Sequence, residues 1–192
     1  KKDQIIQHRI NEISSAVSKN DFAGIELDVR TFGNEIVCSH DPFIEGEYLS
    51  KMLKKYKHKK IIVNVKEDGL VSYIESRYNP NNIYDLLYLD VGTPEIETTK
   101  IYNKIFLRIS EYENYSKNSY SSKFEWVWLD SFNSIWFENE LIDELSKNYK
   151  VCLVSPELQI QNNESINDFK EYLKSVNYTP DFICTKYPDQ WL

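Results

Sequence analysis

The chain has 192 residues, of which 41% are hydrophobic, so it can bury one sizeable core but is short for two full domains. We therefore expect residues 1–192 to form a single domain. Its 30 Asp and Glu residues outnumber its 23 Lys and Arg residues, and the net charge of −7 argues against nucleic acid as a partner. No apolar run approaches the roughly 20 residues of a spanning helix, and the first residues lack the apolar core of a signal peptide. These features predict a cytoplasmic protein without stable membrane insertion.

Short apolar runs of strand type recur along the chain with helical patterns between them, which is typical of parallel βα units. Eight such strands are predicted, at residues 5–8, 24–29, 61–66, 85–91, 105–109, 126–130, 151–155 and 182–185. Apolar residues at three-to-four spacing predict helices at residues 11–19, 48–56, 70–77, 137–148 and 166–175. The predicted fold class is α/β, as a compact (β/α)8 TIM barrel. At about 24 residues per unit, some of its helices must be short or missing.

Two segments depart from the repeating pattern. Residues 31–35 contain Gly33 and Asn34 and lead into the apolar run 36–39, which predicts a small β-hairpin extension after the second strand. Residues 111–124 are rich in Ser, Tyr, Asn and Lys, and this weakest helical unit is compatible with a loop that holds one turn. The cysteines lie inside apolar runs without metal or disulfide spacing, so we expect reduced core residues at Cys38, Cys152 and Cys184.

Polar side chains stand at or just after the carboxyl ends of the predicted strands. In a barrel these ends meet at one mouth, and an unpaired charge buried there would cost several kcal/mol. Convergence on a metal or a phosphate group would compensate for that cost. The residues concerned are His8, Glu26, Asp28, His40, Asn64, Lys66, Asp90, Arg108, Asp130 and Glu157.

Two of these positions suggest a cation site. Glu26 and Asp28 lie two apart on one predicted strand, so their side chains leave the same face and can bind one ion together. Their hard oxygen atoms suit Mg²⁺ or Ca²⁺. His8 and His40 fall at predicted loop starts, and although either alone could be a core histidine, their occurrence with the carboxylate pair favours a catalytic site. His58 lies among lysines and is expected on the surface.

The stretch at residues 5–42 carries a recognisable pattern. It reads IIQHRINEISSAVSKNDFAGIELDVRTFGNEIVCSHDP, in which a strand ends in His-Arg, a later strand carries Glu-x-Asp-Val, a Thr-x-Gly turn follows and a His-Asp pair closes the segment. The stretch resembles the N-terminal signature of the glycerophosphodiester phosphodiesterases, a family of the phospholipase-C-like TIM barrels. It covers about a fifth of the chain. The runs RISEYE, WLDSF and SPELQ, at residues 108–113, 128–132 and 155–159, are similar to an uncharacterised bacterial branch of that superfamily.

The resemblance implies that His8 and His40 are the acid and base pair and that Glu26 and Asp28 bind the metal. In the family the third strand usually ends in Glu-x-Lys, whose Glu also binds metal, whereas this chain has Asn64, Val65 and Lys66. An Asn carbonyl can still coordinate a hard cation, with one negative charge fewer. Further departures are Ile10, where the family commonly has Gly, and the closing TKYP of residues 185–188 in place of Thr-Asp-x-Pro. They affect the expected substrate more than the expected reaction.

The sequence therefore predicts metal-dependent hydrolysis of a small-molecule phosphodiester, such as a glycerophosphodiester or a sugar-phosphate diester. Mg²⁺ or Ca²⁺ would be held by Glu26, Asp28 and Asn64 and would stabilise the phosphoryl oxygens. The nucleophile is either water or a hydroxyl of the substrate. The residues expected to contact the substrate are Arg9, Lys66, Arg108, Asp130 and Glu157.

Two other functions are compatible with the same residues. A phospholipase-like lyase acting on a lipid or sugar phosphodiester would need an exposed apolar or aromatic patch around the mouth. A non-catalytic barrel that binds a phosphorylated ligand could result from changes such as Asn64, although the presence of both histidines argues against it.

Overall fold

A computed structural model describes residues 1–18, 21–56, 59–159 and 162–192. His58 lies outside these residues, and so does Lys19, the last residue of the first predicted helix. Within them, a large sheet and seven α-helices form a mixed α/β fold. The strands are β1 Ile5–Gln7, β2 Gly24–Phe32, β3 Glu35–Cys38, β4 Glu47–Tyr48, β5 Lys60–Val65, β6 Leu86–Leu89, β7 Phe106–Ile109, β8 Trp126–Leu129, β9 Lys150–Val154 and β10 Phe182–Thr185. The helices are α1 Ile13–Ser18, α2 Leu49–Lys55, α3 Leu70–Arg77, α4 Thr93–Thr99, α5 Asn139–Asn148, α6 Ile166–Ser175 and α7 Pro188–Trp191.

The eight predicted strands are all present, each within a few residues of its predicted bounds. They pair in parallel in the order β7, β8, β9, β10, β1, β2, β5 and β6. The two ends of this series, β6 and β7, are linked by one parallel bridge between Tyr88 and Ile105. The carboxyl ends of the eight strands therefore lie on one side of the sheet, which is where the polar residues were predicted to converge.

The hairpin extension predicted after the second strand is also present. β2 continues to Phe32 and pairs antiparallel with β3, from Val29 opposite Cys38 to Phe32 opposite Glu35, and β3 pairs with β4. Gly33 closes the turn with φ of +60°, a left-handed conformation that favours glycine. The hairpin places His40 two residues beyond the end of β3, where its carbonyl oxygen accepts a hydrogen bond of 2.8 Å from Nε of Arg30 on β2.

The helices agree less closely with the sequence pattern. Residues 111–124 contain no α-helix and hold a short 3₁₀ turn at Ser121–Lys123, as the composition of that segment suggested. α5 begins at Asn139 instead of residue 137, because the Phe137 side chain is buried in the core ahead of the helix. α4 was not predicted from the sequence. No helix within the described ranges is long and apolar enough to cross a membrane.

Two apolar clusters lie on the two faces of the parallel strands. The larger lies between strands and helices and includes Ile25, Leu27 and Val29 of β2. The smaller lies on the opposite face and draws residues from seven of the eight parallel strands, namely Ile6, Ile62, Leu87, Leu89, Phe106, Trp126, Trp128, Cys152, Val154 and Cys184. β2 contributes no apolar residue to the smaller cluster. The three cysteines are free and buried, in agreement with the prediction.

Candidate functional site

The acidic pair is positioned by the alternation of side chains along β2. Because Ile25, Leu27 and Val29 face the helices, the side chains of Glu26 and Asp28 point to the opposite face of the sheet. Both side chains are only 1% exposed. In the parallel pairing of β2 with β5, Asp28 lies opposite Asn64. The structure therefore brings together the three residues that were predicted to hold a cation.

Glu26 has one satisfied oxygen and one free oxygen. Its Oε2 accepts a hydrogen bond of 2.7 Å from the backbone N–H of Arg9 and lies 3.7 Å from Nε2 of His8. Its Oε1 is buried without any hydrogen-bond partner. Burial and the charge of Asp28 raise the pKa of Glu26 to about 7, against the opposing effects of the Arg9 N–H and Lys66. A buried oxygen that has lost its water and gained no partner is costly, so this atom is suited to a ligand.

His8 follows β1 and is held by a hydrogen bond of 3.0 Å from its backbone N–H to the carbonyl oxygen of Thr185. Its Nδ1 is buried and has no partner. Burial, together with the positive charges of Arg9 and Lys186, lowers the pKa of His8 to about 3, and the negative charge of Asp28 opposes this shift. The imidazole is therefore neutral near pH 7 and can accept a proton.

Asp28 uses both of its oxygens. Its Oδ1 lies 3.1 Å from Nζ of Lys66, while Oδ2 accepts a hydrogen bond of 3.1 Å from Nδ2 of Asn11 and lies 3.5 Å from Nε of Arg9. The Asp28 backbone N–H in turn donates to Oδ1 of Asn11 over 2.9 Å. Asn11 was not predicted. It braces Asp28 from 17 residues away in the chain, and no local pattern marks it.

Lys66 sits among oxygen atoms. Its Nζ donates to Oδ1 of Asn64 over 2.8 Å, and Oδ2 of Asp90 lies 4.0 Å away. With Oδ1 of Asp28, three oxygens from three residues surround an ammonium group whose side chain is 17% exposed. Arg9 and Asp90 both adopt left-handed backbone conformations, with φ of 52° and 61°. Such conformations in non-glycine residues are often found at functional sites.

A cavity of about 150 Å³ opens at the strand ends. Because a water molecule fills roughly 30 Å³, this space suits a group of phosphoryl size. Six of the ten predicted site residues line it. The lining comprises His8, Arg9, Glu26, Asn64, Arg108 and Asp130, together with Leu89, Trp128, Val154, Leu158 and Gln159. Asp28 and Lys66 adjoin it through their contacts with Arg9 and Asn64.

Arg108 bridges two carboxylates at the edge of this cavity. Its Nη1 lies 2.5 Å from Oδ2 of Asp130, and its Nε and Nη2 both donate to Oδ1 of Asp90. Asp130 also accepts hydrogen bonds from Nε2 of Gln159 over 2.7 Å and from the N–H of Ser131 over 3.0 Å. Burial raises the pKa of Asp130, while the charge of Arg108 lowers it. Gln159 was not singled out in the sequence, although the SPELQ run contains it.

Four of the ten predicted site residues do not line this cavity, namely Asp28 and Lys66, which adjoin it, and His40 and Glu157. His40 lines a second cavity of about 420 Å³, in which Asn11 also takes part, and its Nδ1 lies 2.8 Å from Oδ1 of Asp41. Glu157 joins the ends of β9 and β10, since its carboxylate accepts hydrogen bonds from Thr185 Oγ1 over 2.5 Å, from the N–H of Lys186 over 2.9 Å and from Ser155 Oγ.

The oxygen atoms of the interior fit a hard cation. Glu26 offers a free buried oxygen, Asp28 a second carboxylate and Asn64 an amide oxygen, which is the ligand chemistry of Mg²⁺ and Ca²⁺. Among the described residues, no three Asp, Glu, His or Cys side chains form a metal-binding group. A cation at this point would therefore depend on the amide of Asn64 for its third protein oxygen.

Comparison with solved structures finds proteins of similar fold. No family model matches the chain, and no curated protein matches it. The crystal structure of a glycerophosphodiester phosphodiesterase from Parabacteroides distasonis ATCC 8503 is similar, with a TM-score of 0.65 and 15% sequence identity over 97% of this chain and 94% of that chain. At this identity the likeness establishes a common fold along nearly the full length of both chains.

Proposed function

We propose that this protein hydrolyses a small-molecule phosphodiester, in the manner of a glycerophosphodiester phosphodiesterase. The observation that carries the proposal is the cavity of phosphoryl size, because its wall combines a neutral buried histidine, His8, with the free oxygen of Glu26 and the cationic Arg108. The fold of the Parabacteroides distasonis enzyme supports it.

We also infer that the eight parallel strands close into a (β/α)8 barrel. The support is the Tyr88–Ile105 bridge, which links the two ends of the series, and the interior cluster, which receives side chains from seven strands. In a closed barrel β2 would complete the ring of interior residues with Glu26 and Asp28. The site would then lie at the carboxyl-terminal mouth, where enzymes of this fold carry their active sites.

The charges around the cavity suit a phosphodiester anion. Arg108 would neutralise one phosphoryl oxygen, and Lys66 would neutralise another after leaving Asn64. Glu26, Asp28 and Asn64 would hold Mg²⁺ or Ca²⁺, which when bound would withdraw electron density from the phosphoryl group. Trp128 and Leu89 form the apolar part of the wall, where they limit the entry of water other than the reacting one.

His8 and His40 would divide the proton transfers. His8 is neutral and lines the cavity, so it would take the proton from the attacking oxygen. His40, whose Nδ1 lies 2.8 Å from Oδ1 of Asp41, would then protonate the leaving alkoxide. Because the two rings line different cavities, this division requires the phosphorus and its leaving oxygen to lie between them, with the attacking oxygen toward His8 and the leaving oxygen toward His40.

The direct test is hydrolysis of bis-p-nitrophenyl phosphate with Mg²⁺ or Ca²⁺, measured for wild type, His8→Gln and His40→Gln. We expect His8→Gln to lose about 10²-fold to 10⁴-fold in kcat on this substrate, the usual contribution of a general base. His40→Gln should show a loss of that size with an unacylated glycerophosphodiester, because an alkoxide needs a proton to leave and p-nitrophenolate does not. Glu171→Gln, at an exposed position of α6, is the matched control and should leave kcat unchanged. Full activity in both histidine variants would overturn the proposal, provided that circular dichroism shows each variant to be folded.

A second function is favoured by one exposed patch. Phe43 is 94% exposed and Ile44 is 56% exposed, and both follow His40 in the loop between β3 and β4. An acyl chain or another apolar leaving group could lie on them, as a phospholipase-like lyase would need. The two reactions differ in their product, so ³¹P NMR separates them. A cyclic phosphate identifies the lyase, whereas a phosphomonoester without a cyclic precursor identifies the hydrolase.

A further inference from the structure

The Lys66 ammonium group already occupies the position of a cation. Its Nζ contacts Oδ1 of Asp28 at 3.1 Å and Oδ1 of Asn64 at 2.8 Å, and these are two of the three residues proposed to hold a divalent ion. The Glu26 oxygen that would complete such a site has no partner. The side chain of Lys66 therefore competes with the ion for these two oxygen atoms.

A divalent ion cannot share these oxygens with the ammonium group. Two cations drawn to the same Asp28 and Asn64 atoms would lie within a few ångströms of each other, partly shielded from water, where their repulsion is strong. Lys66 must therefore leave when the ion enters. The displaced ammonium group then needs another acceptor.

Among the described residues, the remaining acceptor near this ammonium group is a poor one. Oδ2 of Asp90 lies 4.0 Å from Nζ of Lys66, but the same carboxylate already receives two N–H groups of Arg108. A phosphoryl oxygen in the adjoining cavity would be a better acceptor, because it brings its own negative charge and the cavity is lined by Asn64, from which Lys66 departs.

We infer that Lys66 couples the binding of the cation to the binding of the phosphoryl group. With neither ligand bound, it holds Asp28 and Asn64 together. With both bound, it contacts the phosphoryl oxygen and leaves the carboxylates to the ion. Each ligand therefore raises the affinity of the site for the other, and the effect is reciprocal. The inference rests on the proposed function, since both ligands are those of the proposed reaction.

Isothermal titration calorimetry measures this coupling without turnover. Mg²⁺ is titrated into the protein alone and into the protein saturated with sn-glycerol 3-phosphate, with a titration of Mg²⁺ into sn-glycerol 3-phosphate as the blank. We expect the phosphate to tighten Mg²⁺ binding by about 5-fold to 150-fold, the usual range of coupling between two sites. The reverse titration, with the phosphate as titrant, should show the same factor.

Lys66→Met removes the competitor and its charge. This variant should bind Mg²⁺ at least about 5-fold more tightly than wild type when no phosphate is present, and added sn-glycerol 3-phosphate should tighten its Mg²⁺ binding by a smaller factor than in wild type. Lys66→Gln keeps a hydrogen bond to Asn64 without the charge, and it serves if the Met variant does not fold. Lys54→Met, at an exposed position of α2, is the control and should retain the wild-type coupling.

The outcomes separate the inference from the function on which it rests. Equal Mg²⁺ affinity of wild type with and without phosphate, together with metal-stimulated cleavage of bis-p-nitrophenyl phosphate, overturns the coupling and leaves the hydrolase. Absence of both Mg²⁺ binding and cleavage overturns both. If phosphate tightens Mg²⁺ binding by the same factor in wild type, Lys66→Gln and Lys66→Met, the coupling belongs to another group and the role of Lys66 is overturned.

Discussion

Replacement of Arg108 by Met tests whether the charges of the site are held in place by one residue. Arg108 lies between Asp90 and Asp130 and contacts both through its guanidinium group. Met retains much of the length and apolar stem of Arg but has no charge and no N–H donors. The substitution therefore leaves two carboxylates without their cation.

The two carboxylates differ in what this loss costs. The Asp130 side chain is 1% exposed and keeps only the neutral donors Gln159 and Ser131, so removing its cation should cost about 3 to 5 kcal/mol, as for other broken buried ion pairs. The Asp90 side chain is 31% exposed, so losing its contact with Arg108 should add about 0 to 1 kcal/mol to the destabilisation, because water can replace the arginine.

The cost should depend on pH. Burial raises the pKa of Asp130 and Arg108 opposes this, so the variant should raise that pKa further. A carboxyl group with a raised folded-state pKa contributes stability below its unfolded value, and this stability is lost as pH rises through the folded value. The destabilisation of Arg108→Met should therefore be larger at about pH 8 than at about pH 5.

Urea unfolding followed by tryptophan fluorescence and circular dichroism gives the free energies. The double variant Arg108→Met with Asp130→Asn should recover at least half of the loss, because it removes the stranded charge. Arg77→Met, at an exposed position of α3, is the control and should change stability by no more than about 0.5 kcal/mol. A loss below about 1 kcal/mol for Arg108→Met, or no recovery in the double variant, would refute the reasoning.

Three further predictions concern single side chains. Because burial raises the pKa of Glu26 to about 7, the stability that its carboxyl group contributes below the unfolded-state pKa is lost as the pH rises. Glu26→Gln should therefore gain stability relative to wild type between about pH 5 and pH 8 in EDTA. A difference in the free energy of unfolding between the two proteins that stays constant over this range contradicts the prediction. Glu157→Gln should lower the free energy of unfolding by about 1 to 3 kcal/mol and leave KM unchanged, whereas a raised KM at normal stability would show substrate contact. Phe43→Gly should not destabilise the fold, because Phe43 is exposed and has φ of 63°, a left-handed conformation. The variant should slow turnover only of acylated substrates, which parallel assays of acylated and unacylated glycerophosphodiesters would show.

The strands could be predicted because parallel strands that are covered on both faces require short continuous apolar runs. The charges at the ends of those runs were equally informative. Glu26 and Asp28 alternate with the apolar residues Ile25 and Leu27 on β2, so the sequence places both carboxylates on the same face of a buried strand. α4 was not predicted, because Thr93–Thr99 buries little apolar surface and begins after Gly92, with Pro94 in its first turn.

The partners of the strand-end residues could not be predicted. Asn11 reaches Asp28 across 17 residues of sequence and Gln159 reaches Asp130 across 29, so these contacts are set by how the loops pack. The sequence predicted that Glu157 lies at a strand end, but it did not predict where the Glu157 side chain points. Its side chain turns toward Thr185 and satisfies donors of the neighbouring strand end.

The charge balance of the site bears on Asn64. The ion-paired network contains five carboxylates and three cations, and these are Glu26, Asp28, Asp90, Glu113 and Asp130 with Arg9, Lys66 and Arg108. With every group ionised it carries two net negative charges. A divalent cation would balance these two charges, and a carboxylate in place of Asn64 would add a third negative charge beside the ion. We therefore expect the amide to bind the ion more weakly than a carboxylate would, so that the ion gains more from the negative charge of a bound phosphoryl group.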